Sequence, residues 1–167
     1  MGRLFGTDGV RGVANHDLTC ELAMKLGRAA AAVLINKSNR HPRVIIGKDT
    51  RLSSDMLENA MAAGLCSVGA SVVLLGVVPT PAVAYLVEKY KADAGVMISA
   101  SHNSYEYNGI KIFSGDGYKL PDDLEERIES LILGEAALPP LPADCDLGTV
   151  SYAPNALRDY IDHVKST

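Results

Sequence analysis

Ile98-Ser99-Ala100-Ser101-His102-Asn103 sets two hydroxyls, an imidazole and an amide directly after the apolar run Val96-Met97-Ile98. Such a run reads as a strand buried on both faces, and open α/β sheets bind ligands at the carboxyl ends of their strands. A serine at that edge can be a nucleophile, a phosphate binder or a turn residue. A Ser-His hydrolase fits poorly, because Ser101 and His102 are adjacent and a base is normally brought to its nucleophile from elsewhere in the fold. The G-x-S-x-G elbow is also absent. Arg11 is expected in a glycine-flanked loop, Gly9-Val10-Arg11-Gly12, where backbone amides can approach an anion and the guanidinium can fork onto phosphate oxygens. An arginine stays charged, so Arg11 is expected to clamp rather than act as a base. Lys111 interrupts the alternating segment Gly109-Ile110-Lys111-Ile112-Phe113, where desolvation beside other cations favours a proton-transfer role; the alternative is a solvent-facing strand lysine. His102 can hydrogen-bond a phosphate or simply close the turn.

The elements that must position these residues read as alternating strands and helices. Thr19 is placed to cap a helix with Leu22, Leu26, Ala29, Ala30, Val33 and Leu34 on its apolar face. Val44-Ile45-Ile46-Gly47 and Val72-Val73-Leu74-Leu75 are further buried strands. Between them Ser53 or Ser54 is expected to cap a helix carrying Leu57, Met61 and Leu65, and Thr80-Pro81 to open another. Gly115-Asp116-Gly117 is a turn. Pro121 opens a helix with Leu124, Ile128, Leu131 and Ile132, stopped by Gly134. Residues 135–148 hold three prolines and read as an irregular connector. The pattern predicts a three-layer α/β/α domain with a mixed sheet over residues 1–150. Residues 151–167 are expected to begin the linker and helix leading to a second domain, because Leu157, Tyr160, Ile161 and Val164 form an amphipathic face with no evident partner in the chain.

Composition narrows the classes. The chain has 167 residues, 47% of them hydrophobic and 22% charged, which supports a folded core and excludes disorder. A net charge of −4 gives no overall attraction to nucleic acid or to an anionic membrane, so neither is expected as a partner. Cys20, Cys66 and Cys145 form no C-x-x-C pair, and an odd count argues against a disulfide framework; buried thiols at Cys20 and Cys66 and a reducing, cytoplasmic setting are expected. The first residues hold no apolar signal core, and no apolar run reaches transmembrane length.

Phe5-Gly6-Thr7-Asp8-Gly9-Val10-Arg11-Gly12, Gly47-Lys48-Asp49-Thr50-Arg51-Leu52-Ser53, Ile98-Ser99-Ala100-Ser101-His102-Asn103 and Asn108-Gly109-Ile110-Lys111 together resemble, in order and spacing, the signature of the α-D-phosphohexomutase family. The resemblance runs to about residue 152 and implies the first of four domains, with Ser101 as the phosphoserine. It implies transfer of that phosphoryl to a hexosamine phosphate, interconverting glucosamine 6-phosphate and glucosamine 1-phosphate through glucosamine 1,6-bisphosphate, for amino-sugar nucleotide and cell-wall synthesis. A mannose- or glucose-specific mutase, or a non-catalytic domain of this fold, are the alternatives. The resemblance further implies Mg²⁺, with one ligand from phosphorylated Ser101 and the carboxylates from a second domain, no separate cofactor-binding residues, and a homodimer formed through this domain. Two positions depart from the family's pattern: Ser104 stands where proline is common, and Lys48 stands where arginine is common, keeping the charge but losing the bidentate fork.

Overall fold

Apolar runs long enough to be buried on both faces make the centre of the sheet. They form β2 (Arg43–Lys48), β3 (Ser71–Val77) and β4 (Ala94–Ile98), mutually parallel with β2 in the middle. The computed structural model describes residues 4–35 and 41–167, so the N-terminal residues Met1, Gly2 and Arg3, read above for targeting signals, lie outside the described part. β5 (Tyr107–Ser114) returns antiparallel to β4, and β1 (Val10–Val13) is antiparallel to β5. β6 (Val150–Tyr152) pairs parallel with β3 and completes the order β1-β5-β4-β2-β3-β6. The sheet is therefore mixed, as expected from the break in strand–helix alternation after β4.

Successive strand residues point to opposite faces, so each buried strand serves two cores. Val44, Ile46, Val96, Ile98, Ile110 and Ile112 face α1 (Cys20–Ile35), α2 (Ser54–Cys66) and α4 (Asp122–Ile132). Ile45, Leu75 and Met97 face α3 (Thr80–Lys89) and the start of α5 (Ala156–Ser166). Helices on both faces of one sheet give the three-layer α/β/α architecture. Thr19 caps α1 as predicted, its Oγ1 accepting the Leu22 N–H at 3.2 Å.

Several local expectations are corrected. Arg11 is not in a loop: β1 is an edge strand, and Arg11 pairs with Gly109 of β5. Ser53 stands at the N-cap of α2 without capping it, because the hydroxyls of Ser53 and Ser54 accept from Asn108 instead. α3 begins at Thr80 with Pro79 as its cap residue, one position earlier than the Thr-Pro pair suggested. Cys20 and Cys66 are half-buried rather than fully buried, although burial still pushes the Cys66 thiol up.

The division expected at residue 150 falls on the first residue of β6. α5 does have a partner in the chain. Ala156 is fully buried, His163 stacks on Tyr85 with ring centroids 3.8 Å apart, and Asp159 accepts from the Tyr90 hydroxyl at 2.5 Å and from Lys89 at 3.1 Å. The helix docks on α3 through its polar and aromatic side. Of the four residues read as its apolar face, Tyr160 packs beside Tyr85 with ring centroids 6.3 Å apart, while Leu157, Ile161 and Val164 remain 46, 38 and 53% exposed.

Candidate active site

Because β2, β3 and β4 are parallel, whatever follows each of them collects at one edge of the sheet. Asp49 and Arg51 follow β2, Thr80 follows β3, and the Ser99–Asn103 stretch follows β4. The Asp49 N–H donates to the Ile98 carbonyl at 3.0 Å and ties the first of these to the last. Asp49, Arg51, Thr80, Met97, Ser99 and Ser101 are among the residues lining an open cavity of about 630 Å³, within the range of small-ligand sites. Ser101 is exposed at its rim and adopts φ 58°, a left-handed conformation unusual for a serine. His102 is exposed on the same loop.

A buried polar network lies under that loop. Asn108 is fully buried; its Nδ2 donates to the hydroxyls of Ser53 at 2.9 Å and Ser54 at 3.1 Å, and its Oδ1 accepts the Gly109 N–H at 2.8 Å. Ser54 in turn donates to Asp49 Oδ1 at 2.9 Å. The Ser99 hydroxyl donates to Asp49 and accepts the Ser101 N–H at 3.0 Å. Burial alone would raise the Asp49 carboxyl. The hydrogen bonds from Ser99, the Arg51 backbone, Ser54 and the Arg51 side chain outweigh it and hold Asp49 below the usual aspartate range.

Arg51 joins this network to the loop. Its Nε donates to Asp49 Oδ2 at 2.9 Å. Nη2 donates to the carbonyls of Ser101 at 3.0 Å and Asn103 at 2.8 Å. Nη1 donates to those of Ser104 at 2.6 Å and Tyr107 at 3.1 Å.

Arg11 and Lys111 stand on one face of the sheet, since Arg11 is opposite Gly109 and Gly109 is two positions from Lys111. Asp8 lies between them, 3.4 Å from Arg11 Nη2 and 3.6 Å from Lys111 Nζ. Lys111 thus sits beside an acid as well as a cation, which its place in the sequence does not foretell. Gly9 makes this approach possible: at φ 83° any Cβ there would lie 2.3 Å from the Ile110 carbonyl oxygen. Glu129 of α4 anchors the segment leading in, accepting the Leu4 and Phe5 N–H groups at 3.0 and 3.3 Å. The Arg11 Nε is buried without a hydrogen-bond partner among the described residues.

The expected site residues therefore gather at one edge but in two groups. Ser101 lines the cavity after β4, while Lys111 lines a neighbouring one with Asp8, Gly9 and Phe113; Thr80 borders both. Asp8, Asp49, Ser99, Arg51 and Asn108 lie within the motifs, yet sequence reasoning assigned them no part. Their signal was positional: each lies within a few residues of a strand end. Lys48, the departure from the family's arginine, forms ion pairs with Asp55 at 2.6 Å and with buried Glu58, whose Oε1 has no hydrogen-bond partner among the described residues. Among the described residues no group of three or more His, Cys, Asp or Glu is arranged to hold a metal. The carboxylate set for Mg²⁺ is thus not assembled by these residues.

The fold and site define a three-layer α/β/α domain with a braced serine loop and a basic pair at the edge of its sheet where β2, β3 and β4 end. The chain belongs to the phosphoglucomutase/phosphomannomutase family: residues 2–138 match its α/β/α domain I. It is 57% identical over all 167 residues to a phosphoglucosamine mutase of Ruminiclostridium cellulolyticum, and 60% identical over the same span to one of Thermoanaerobacter sp.. It covers 37% of the length of each of these relatives, a little over a third. A crystal structure of a candidate phosphomannomutase from Thermus thermophilus superposes with a TM-score of 0.81 at 30% identity, over 99% of this chain and 36% of that one. A phosphoglucomutase/phosphomannomutase family protein of Burkholderia thailandensis shares the fold, with a TM-score of 0.79 at 23% identity over 98% of this chain and 35% of that one.

Proposed function

We propose that this chain is the catalytic-serine domain of a phosphoglucosamine mutase, with residues 1–150 as the domain and 151–167 as the start of the connection to a second one. The observation that carries the chemistry is Ser101, exposed at the carboxyl end of β4 on a loop held by Arg51. Identity of 57 and 60% along the whole chain to proteins named phosphoglucosamine mutase supports the substrate.

In this reading Ser101 carries a phosphoryl group. The O1 hydroxyl of glucosamine 6-phosphate attacks phosphorus, the Ser101 Oγ–P bond breaks, and the hydroxyl proton ends on Ser101. The glucosamine 1,6-bisphosphate so formed turns over, its 6-phosphoryl returns to Ser101, and glucosamine 1-phosphate leaves. Such transfer depends on positioning and on neutralising charge at the phosphoryl oxygens. Arg11 and Lys111 supply positive charge, and a phosphate entering between them displaces the Asp8 carboxylate from one or both. Lys111 is the group assigned to proton transfer or clamping, and His102 to a hydrogen bond with the phosphate. Mg²⁺ would add charge neutralisation, with one ligand from phosphorylated Ser101. Homodimerisation through this domain, a cytoplasmic location and a place in amino-sugar nucleotide and cell-wall synthesis belong to the same proposal. No helix among the described residues is long and apolar enough to cross a membrane.

The test is intact-mass and peptide mapping of the full-length mutase after incubation with the sugar bisphosphate. A gain of about 80 Da, one phosphoryl group, on the peptide containing Ser101 is expected. Phosphate on Ser99 or Ser104 with Ser101 unmodified would remove the assignment.

A further inference from the structure

We infer that Arg51 is the positioning residue that sets the geometry of the Ser101 nucleophile, and that it does so without touching substrate. The inference rests on the phosphoserine reading above. An arginine beside a phosphoryl site is ordinarily read as a phosphate clamp, because its fork matches the phosphate oxygens. The geometry excludes that role here. An arginine has its Nε–H and a pair of N–H groups on each Nη. In Arg51 every one is taken: Nε by Asp49, Nη1 by the Ser104 and Tyr107 carbonyls, Nη2 by the Ser101 and Asn103 carbonyls. The Arg51 side chain is in addition only 10% exposed. Arg11 differs: its side chain is 22% exposed, its Nη2 faces the exposed Asp8 carboxylate at 3.4 Å, and its buried Nε has no hydrogen-bond partner among the described residues. The two arginines divide the work: Arg11 stands beside an exposed carboxylate, and Arg51 is committed to backbone carbonyls.

What Arg51 holds is a backbone that would not keep this shape unaided. Ser101 sits at φ 58°, a conformation that persists in a non-glycine residue only when its surroundings over-determine it. Two constraints meet on that residue. Its carbonyl accepts from Arg51, and its N–H is taken by the Ser99 hydroxyl, which itself donates to Asp49. Both lead back to the same carboxylate, so Asp49 fixes the guanidinium and the Ser99 hydroxyl together. The clamp spans 50 to 56 positions in the chain and ties the end of β2 to the whole crossing from β4 to β5. A lysine at position 51 keeps the charge but has neither the fork nor enough donors for this set.

The experiment has a structural and a kinetic arm. In the 167-residue chain, amide hydrogen exchange is compared between wild type and Arg51→Lys. Exchange across residues 101–107 is expected to quicken by about tenfold or more, while the amides of β2 and β4 keep their protection. In the full-length mutase, Arg51→Lys is expected to lower kcat by about a hundredfold, the scale of a misplaced reacting group. The KM for glucosamine 6-phosphate should hold within about threefold, since no substrate contact is lost. Ser99→Ala, a milder change, should move kcat and loop exchange in the same direction and serves if Arg51→Lys does not fold. Unchanged loop exchange, or a rise in KM with kcat intact, overturns the inference and makes Arg51 a substrate contact. A wild-type enzyme that never phosphorylates Ser101 defeats the functional reading alone, and the exchange comparison still decides the clamp.

Discussion

Ser101 shows how one residue stores a function in its backbone. A left-handed serine costs on the order of 1 kcal/mol or more, and the loop keeps it because Asp49 organises both of its restraints. Asp49 therefore gives the fold a pH dependence whose sign is fixed. Its carboxyl is held below the ordinary aspartate value of 3.8 against the opposing effect of burial. A depressed folded-state value contributes stability that is fully present above the unfolded value and is lost as pH falls through the folded one. The Asp49→Asn variant should accordingly be less stable than wild type at about pH 6, and the gap should close as pH is lowered towards about 2. Thermal unfolding of both chains across that range checks it; a gap that stays constant would mean that the ionised carboxylate contributes nothing.

At the scale of elements, α1 and α2 pack at unusually close range, and that packing supports the face of the sheet behind the serine loop. A Cβ at Gly64 would lie 2.2 Å from the Met24 carbonyl oxygen, and one at Gly27 would lie 2.5 Å from that of Met61. The obstacles are backbone atoms of the facing helix, which cannot swing aside. Alanine gains about 1 kcal/mol over glycine in helix propensity, but forcing the helices apart costs about 1–3 kcal/mol or more, so the clash wins. Gly64→Ala is expected to destabilise the chain by up to about 2 kcal/mol in urea unfolding, the clash less the propensity gain. A stabilised variant would show that the two helices separate freely. α2 also carries Ser54 and Glu58, which reach Asp49 and Lys48 at the end of β2, so a shift of this helix would be felt in the loop.

For the whole molecule, one sheet edge gathers the candidate residues. It offers the Ser101 loop, Arg11 and Lys111, yet among the described residues no carboxylate set is gathered for a metal. The 167-residue chain covers 37% of its phosphoglucosamine mutase relatives. We expect this chain to fold and to show no detectable mutase turnover, since positioning of the far end of the sugar and metal neutralisation each lower the barrier by several kcal/mol. A coupled assay with glucosamine 6-phosphate, the sugar bisphosphate and Mg²⁺ checks this. Turnover within about a hundredfold of the full-length enzyme would require a complete site inside the chain.

The three central strands, the helices between them and the serine string at the end of β4 were legible in the sequence, because each depends on a local period or on a run of apolar residues. The mixed sheet was legible too, since the strand–helix alternation breaks after β4. The edge strands β1 and β6 were not: they are four and three residues long, and the pairing that defines them comes from β5 and β3. Nor was the docking of α5, which uses Asp159, Tyr160 and His163 and leaves Leu157, Ile161 and Val164 of its apolar stripe exposed. Sequence by itself determined which residues stand at the ligand edge. Tertiary structure alone decided what each touches there, because residue type is the same for Arg11 and Arg51 and only their partners differ. Their partners, some 50 positions away in the case of Arg51, leave one guanidinium beside the exposed Asp8 carboxylate and commit the other to backbone carbonyls.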